Sequence, residues 1–318
     1  MYMACVSVII PAFNAARYIR SSLMSVLEQD YKNVEIIVVD DGSTDSTREI
    51  VQEFGKVKYL RQLNRGQGAA RNAGIAVARG DFFAFLDADD LWLPTKLRYQ
   101  MELFDSQPHL GLVYSDAVSF DQETGKDLWC FSQRCRFYDG DALKPLILGD
   151  FIPTLTVVIR RAVWETVGGF DETDKLRSRE DWDLWLRIAS RYPIGFVKAP
   201  LAKYRIHSNN SSTRLDPKRA YESRLSTVEN ALARDPSKLR TLRRKAISNV
   251  QLSAGKMILQ CGSNVGARPM LLQALRTDPL SLRAMGYITL SLLPTSASRL
   301  LGTMRNHLRA AAARRTAT

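Results

Sequence analysis

The chain has 318 residues, 45% apolar and 25% charged; that balance excludes a disordered, collagenous or disulfide-stapled chain and, at roughly 150 residues per domain, suggests about two domains. Lys and Arg outnumber Asp and Glu by 45 to 33, for a net charge of +12. The excess is local: residues 215–318 hold 18 basic side chains against 5 acidic ones, so a near-neutral body precedes a basic region of the kind that meets nucleic acid, anionic lipid or acidic partners.

The first half alternates strand and helix signals. Cys5–Ile10 is an apolar run rich in β-branched residues, too short for a helix and suited to a parallel strand buried on both faces, with Pro11 ending it. Ala15–Leu27 has helical spacing, Val34–Val39 reads as a second strand, and Ser43–Asp45 caps a helix over Thr44–Phe54. Val57–Leu60 is a short strand, Gly66–Ala78 an Ala-rich helix, Phe82–Leu86 a fourth strand, and Pro94–Asp105 a helix opened by its proline. This alternation implies a doubly wound parallel sheet, whose sites gather at the carboxyl ends of its strands.

Residues 111–170 are less regular, with strands expected at Leu112–Tyr114 and Thr154–Ile159 and a helix at Asp141–Leu148. Glu180–Arg191 reads as a helix and Phe196–His207 as one or two strands. A polar stretch near 208–216 marks a domain boundary, giving a catalytic body over 1–214 and a basic all-helical region over 215–318. Helices are expected there over 217–234, 237–260, 266–276, 279–293 and 296–312, with a frayed end over 310–318. The four cysteines form no CxxC pair and read as idle thiols of a reducing cytosol. No signal peptide and no apolar run of about 18 residues is seen, which points to a cytoplasmic protein.

Chemistry concentrates where strands end. Asp40 and Asp41 follow the second strand; Asp87, Asp89 and Asp90 follow the fourth. A lone acid there is commonly a turn former, but two clusters at adjacent strand ends repel and call for a cation. Asp87 and Asp89 suit one Mg2+ or Mn2+ that completes its shell with phosphate and water. The Asn64–Gly68 stretch opens a helix whose free N–H groups suit an anion, yet neither GxGxxG nor GxxxxGK[ST] is present. Arg71 lies on that helix, beside the acidic crevice. Glu180 and Asp181 open a further helix, where acids also complement the helix dipole.

In order, the strings Ser7–Asn14, Val38–Asp45, Asn64–Gly74, Gly80–Asp90, Arg179–Arg187 and Tyr204–Ser212 resemble family 2 glycosyltransferases of the GT-A fold, over about residues 5–212. The resemblance implies an α/β, Rossmann-like fold with a mainly parallel central sheet flanked by helices, here with a helical C-terminal extension. It implies inverting transfer of a sugar from a nucleotide-diphosphate sugar, most commonly a uridine diphosphate sugar, to an acceptor hydroxyl. By similarity, Pro11 and Phe13 line the nucleobase pocket, Asp41 takes the base N–H with Asp40 close by, and Arg71 approaches the nucleotide or its diphosphate. Asp87-Ala88-Asp89 looks like the DxD motif, with Asp87 near ribose and metal and Asp89 the direct ligand of Mn2+ or Mg2+. Asp181 looks like the catalytic base, and His207 looks placed to help hold the metal.

The single-displacement logic fits these roles: a carboxylate takes the acceptor's proton and a cation neutralises the departing diphosphate. A nucleotidyltransferase, or an inactive transferase-like scaffold, remains the alternative. Analogy alone suggests a glycan or lipid-linked acceptor in surface polysaccharide synthesis. For 215–318, the choices are helices with a solvated basic face or a peripheral contact with the inner, anionic face of the cell membrane. Nucleic acid is the weaker third choice, because no aromatic residues interleave with the basic ones.

Overall fold

The computed structural model describes residues 3–208 and 216–293. The expected helix over 296–312 and the frayed end over 310–318 lie outside them, as does most of the boundary stretch. The chain divides into two compact units, Met1–Leu143 with Phe151–Ser208, and Lys144–Asp150 with Asn209–Thr318.

The first unit is built on a nine-stranded mixed sheet. Its elements begin β1 (Val6–Ala12), α1 (Ile19–Leu27), β2 (Val34–Asp40), α2 (Thr47–Gln52), β3 (Val57–Arg61), α3 (Gln67–Ala76) and β4 (Phe82–Phe85). β5 (Leu91–Trp92), α4 (Lys96–Ser106), β6 (Leu112–Asp121) and β7 (Asp127–Cys130) follow, while α5 (Leu143–Leu148), all but its first residue, belongs to the second unit. β8 (Val158–Arg160), α6 (Arg161–Val167), α7 (Glu180–Ala189) and β9 (Ile194–Ile206) complete it.

The sheet order is β3-β2-β1-β4-β8-β6-β9-β5, with β7 on β6. The β3-β2-β1-β4 half is parallel, as its apolar runs predict. The other half is not doubly wound. β8 runs antiparallel to both β4 and β6, and β5 antiparallel to β9, while β6 and β9 are parallel. The core packs α1 and α4 against the sheet through Ile19, Leu23, Leu97, Met101 and Phe104.

Several boundaries differ from the sequence expectation for physical reasons. β1 continues through Pro11 to Ala12. Ile9 accepts a bond from Leu86 N, so Pro11, two residues on, faces the same side, where β4 has already ended at Phe85. Its missing N–H therefore costs no ladder bond. α1 starts at Ile19, not Ala15: residues 15–18 form a turn closed by Tyr18 N to Ala15 O at 2.9 Å, and Ala15 N and Ala16 N donate to the side chains of Thr47 and Asp45. The expected strand from Thr154 opens instead as a 3-10 turn over Thr154–Thr156 before β8.

In the second unit, α8 (Pro217–Arg234) is capped by Asp216 and α9 (Pro236–Leu239) is one turn long. α10 (Arg243–Gln260), α11 (Asn264–Thr277) and α12 (Leu282–Leu292) follow. The expected helix over 237–260 is thus broken at a 3-10 turn, Arg240–Leu242. Leu252, Ala267, Leu271, Ala274 and Ala284 form its core. Gly255 allows the closest approach: a Cβ there would sit 2.6 Å from Leu271 Cδ2. Asn249 Nδ2 donates to Leu148 O, which ties α5 to α10. Among the described residues no helix is long and apolar enough to cross a membrane.

Candidate active site

The loop after β2 is braced from within. Asp40 is buried and accepts Ser43 N at 2.7 Å and the Tyr59 hydroxyl. Burial pushes the Asp40 carboxyl up, but the bonds from Tyr59 and Ser43 outweigh it and hold the group below the ordinary carboxylate range. Burial and the Asp40 charge push the Tyr59 phenol up in turn.

Asp41 accepts Gln62 Nε2, Arg65 N and Gly66 N, each at 2.8 Å. Two of the N–H groups expected to be free ahead of α3, those of Arg65 and Gly66, are therefore already met by an internal carboxylate. Gly66 adopts a φ of +91° to make this turn, and at Gly68 a Cβ would lie 3.0 Å from Glu180 Cγ. Pro11 is buried in β1, whereas the Phe13 ring is 53% exposed on the next loop. That loop is tied to the β2–α2 loop by Asn14 N to Ser43 Oγ at 2.9 Å and Thr44 N to Asn14 Oδ1 at 2.8 Å.

The loop beyond β4 carries Asp87, Asp89 and Asp90 to different partners. Ser22 Oγ on α1 donates to Ala88 O at 2.8 Å. Asp90 points inward and accepts Arg205 N at 2.8 Å, while burial raises its carboxyl well above the ordinary range. Arg205 also donates from Nε to Asp89 O and from Nη2 to Ser21 Oγ at 3.1 Å. Asp89 Oδ2 lies 2.9 Å from His207 Nε2, and the His207 ring stacks on Tyr18 with centroids 4.6 Å apart.

Arg71 joins this loop to α7. Its side chain is 2% exposed; Nη2 meets Asp87 Oδ1 at 2.8 Å and Nη1 meets Glu180 Oε1 at 3.3 Å. The guanidinium carbon sits 5.4 Å from the centre of the Phe170 ring. Burial disfavours the charge, but Asp87 and Glu180 restore it, so Arg71 stays a cation. Burial also raises the carboxyls of Asp87 and Glu180, and the nearby Asp181 charge adds to both shifts. The family resemblance implies that Arg71 approaches a nucleotide; here its guanidinium is held by protein carboxylates, and Asp87 is the member of the group nearer to solvent.

Asp181 lies in the first turn of α7, just after Ser178, a non-glycine residue at φ 69°. Thr154 Oγ1 donates to its Oδ2 at 2.6 Å and Trp182 N to its Oδ1 at 2.7 Å. The turn bearing Thr154 is gripped from the other half of the unit. Trp92 Nε1 donates to Leu155 O at 2.7 Å, and Gln100 Nε2 to Thr156 O at 2.7 Å. Lys96, fully buried, donates to Gln100 Oε1 at 2.7 Å and lies 3.9 Å over the Trp92 ring; burial pushes its ammonium well below the ordinary lysine range.

Thr154, Trp92, Lys96 and Gln100 are thus site-forming residues that sequence patterns do not mark, and Glu180 carries only the mark of a first-turn acid beside Asp181. The one available signal is Lys96 with Gln100 on the apolar side of α4, among Leu97, Met101 and Phe104.

Among the described residues no three His, Cys, Asp or Glu side chains gather as a metal cage. The pair Asp89 and His207 still fits an octahedral ion. Neighbouring ligands at ~2.1 Å from such an ion stand about 3 Å apart, close to the 2.9 Å measured between Asp89 Oδ2 and His207 Nε2. An ion there would take its remaining ligands from phosphate and water.

Comparison with known proteins gives the family and the fold. The chain is 34% identical over 215 residues to the putative teichuronic acid biosynthesis glycosyltransferase TuaG of Bacillus subtilis, across 65% of this chain and 81% of that one. The fold resembles the mannosyltransferase PcManGT from Pyrobaculum calidifontis, solved with GDP-Man and Mn2+, at a TM-score of 0.62 and 21% identity over 98% of this chain and 87% of that one. It also resembles S. aureus TarS 1-349, solved with UDP-GlcNAc, at a TM-score of 0.59 and 19% identity over 88% and 89%. The profile for Glycosyl transferase family 2 matches residues 7–167. With half its length inside that match, the chain is a member of glycosyl transferase family 2 and a GT-A glycosyltransferase.

Proposed function

We propose that this enzyme transfers a sugar, with inversion, from a nucleoside-diphosphate sugar to an acceptor hydroxyl, with Asp181 as base. The observation that carries the reading is the carboxylate of Asp181, held by Thr154 at 2.6 Å and joined through neighbouring Glu180 and Arg71 to Asp87 of the acidic loop. One carboxylate is thereby fixed for the acceptor while the acidic loop remains for the donor. Asp181 takes the hydroxyl proton as the new bond forms at the sugar's anomeric carbon. The bond from that carbon to the diphosphate breaks on the opposite face, and its electron pair leaves with the nucleoside diphosphate. Asp89 and His207, with Asp87 beside them, would hold Mn2+ or Mg2+, which when bound supplies charge neutralisation at the diphosphate.

TarS and PcManGT, solved with UDP-GlcNAc and GDP-Man, support a nucleotide-sugar donor here without choosing its base. Phe13, exposed on its braced loop, is the candidate surface for the base. Asp41 keeps lone-pair capacity for a base N–H beyond the three donors it already holds. The name of TuaG, a putative teichuronic acid biosynthesis glycosyltransferase, supports a surface glycan as acceptor.

A thermal-shift panel of uridine, guanosine and thymidine diphosphates, with and without Mn2+, tests donor and ion together. A selective, manganese-dependent rise is expected. Asp181→Asn should keep that rise and lose transfer; near-normal turnover by Asp181→Asn would remove the base assignment. Release of pyrophosphate in place of a nucleoside diphosphate would favour a nucleotidyltransferase.

A further inference from the structure

The described part of the second unit ends in an antiparallel helical hairpin with an added third helix. Ser248 Oγ donates to Ala274 O at 2.8 Å and Gly255 lies against Leu271, which sets α10 antiparallel to α11. Arg268 Nη2 donates to Ser291 O at 2.9 Å and Asn264 Nδ2 to Leu293 O at 2.7 Å, which sets α11 antiparallel to α12. In this register the start of α10, the end of α11, the 278–281 turn and the start of α12 share one end.

That end collects Arg240, Arg243, Arg244, Lys245, Arg276 and Arg283, all exposed. None of the six forms an ion pair with a carboxylate among the described residues. The one acid in the chain after Asp235 is Asp278. Between these cations stand Leu280 at 86% and Leu282 at 81% exposure, the two most exposed large hydrophobic side chains of the described part of this unit. Met285, nearly one turn beyond Leu282, continues the apolar side along α12.

We propose that this tip docks on an anionic lipid bilayer, with Leu280 and Leu282 entering the acyl boundary and the surrounding arginines and lysine meeting lipid phosphates. A solvated basic face has no use for two leucines at its apex. Nucleic acid would engage the cations but offers the leucines nothing, and no aromatic side chain interleaves with the six bases as stacking would require. A bilayer satisfies both features at once. The docking gives the proposed transfer to a surface glycan its location and rests on that reading for its purpose, although its geometry belongs to the helical unit alone.

Each basic residue near an anionic surface strengthens partition about fivefold. Binding of the full chain is measured by flotation with phosphatidylcholine vesicles, with and without phosphatidylglycerol. Binding is expected only with phosphatidylglycerol, weakening as salt rises. Arg243→Gln/Arg244→Gln/Lys245→Gln should weaken it about a hundredfold by that figure. Leu280→Ser/Leu282→Ser should weaken it about tenfold or more. Both variants replace exposed side chains and should keep the manganese-dependent nucleotide shift, which shows them folded.

Indifference to phosphatidylglycerol, or unchanged binding in both variants, would overturn the proposal. So would a duplex DNA that displaces the protein from vesicles and loses affinity in the basic variant but not the leucine variant. Failure of vesicle binding with Asp181-dependent transfer intact would remove only this inference. Vesicle binding by a chain that retains turnover as Asp181→Asn would remove only the catalytic reading.

Discussion

Replacing Arg71 by methionine tests whether the acidic loop and α7 are held together by one buried cation. The guanidinium, 2% exposed, has a carboxylate at 2.8 Å on one side and at 3.3 Å on the other. Methionine fills much of the volume but leaves Glu180, 6% exposed, without its counter-charge. Breaking a buried pair in this way costs about 3–5 kcal/mol, a large share of the ~5–15 kcal/mol that holds a domain folded. Asp87, 24% exposed, contributes the smaller part because water can take over some of Arg71's work.

The deficit should depend on pH with a definite sign. Burial already raises the Glu180 carboxyl, and loss of Arg71 raises it further. The folded variant therefore holds a proton that the unfolded chain releases above about 4.3. Stability relative to wild type falls as pH rises through the raised value and recovers as pH is lowered toward about 4. Urea denaturation of both proteins between those limits and neutrality reads this directly. A variant within about 1 kcal/mol of wild type at neutral pH, or a deficit that is flat with pH, would refute the linkage through Arg71.

Thr154→Val removes the hydroxyl bond to Asp181 at nearly constant volume; kcat should fall about 10- to 100-fold with the donor KM unchanged, and Thr154→Ser should recover most of it in steady-state assays. Asp41→Ala removes three accepted bonds from the turn before α3 and should cost about 1–3 kcal/mol in nucleotide-free protein; a loss seen only as weaker nucleotide binding would make Asp41 a ligand-reading residue alone. Lys96 pulls the other way. Its depressed ammonium means that the folded state gives up a proton the unfolded chain keeps up to about 10.4, so stability rises with pH toward that value. Lys96→Met should lose this slope and stay within about 1 kcal/mol of wild type, or above it, at neutral pH; denaturation at pH values on either side of neutrality decides the matter.

What the sequence made legible was local. Ile36–Val39 and Phe82–Phe85 are unbroken apolar runs because both faces of those strands are covered, and the acids that follow them mark the strand ends without any long-range knowledge. The mixed half of the sheet was hidden because β8 has three residues and pairs with β4 and β6 from far along the chain. The supports of Asp181 were hidden for the same reason: Thr154 is 27 residues away, and Trp92 reaches Leu155 across 63. Glu180 looked like an ordinary acid in a helix's first turn; only packing reveals that Gly68 lacks a side chain where Glu180 comes close. The break at Arg240–Leu242 leaves no clear mark either, since Arg240 and Leu242 are good helix formers and a single Thr241 between them does not end a helix by itself.

The proposed transfer depends on a divalent ion that joins the loop beyond β4 to a donor's phosphates. Crystals soaked with manganese and the nucleoside diphosphate chosen by the thermal panel, measured at the manganese absorption edge, examine this without reference to turnover. An anomalous peak bonded to the Asp89 carboxylate, His207 Nε2 and the diphosphate oxygens is the predicted result. A diphosphate bound with no manganese at Asp89, or manganese bound elsewhere on the chain, would contradict it.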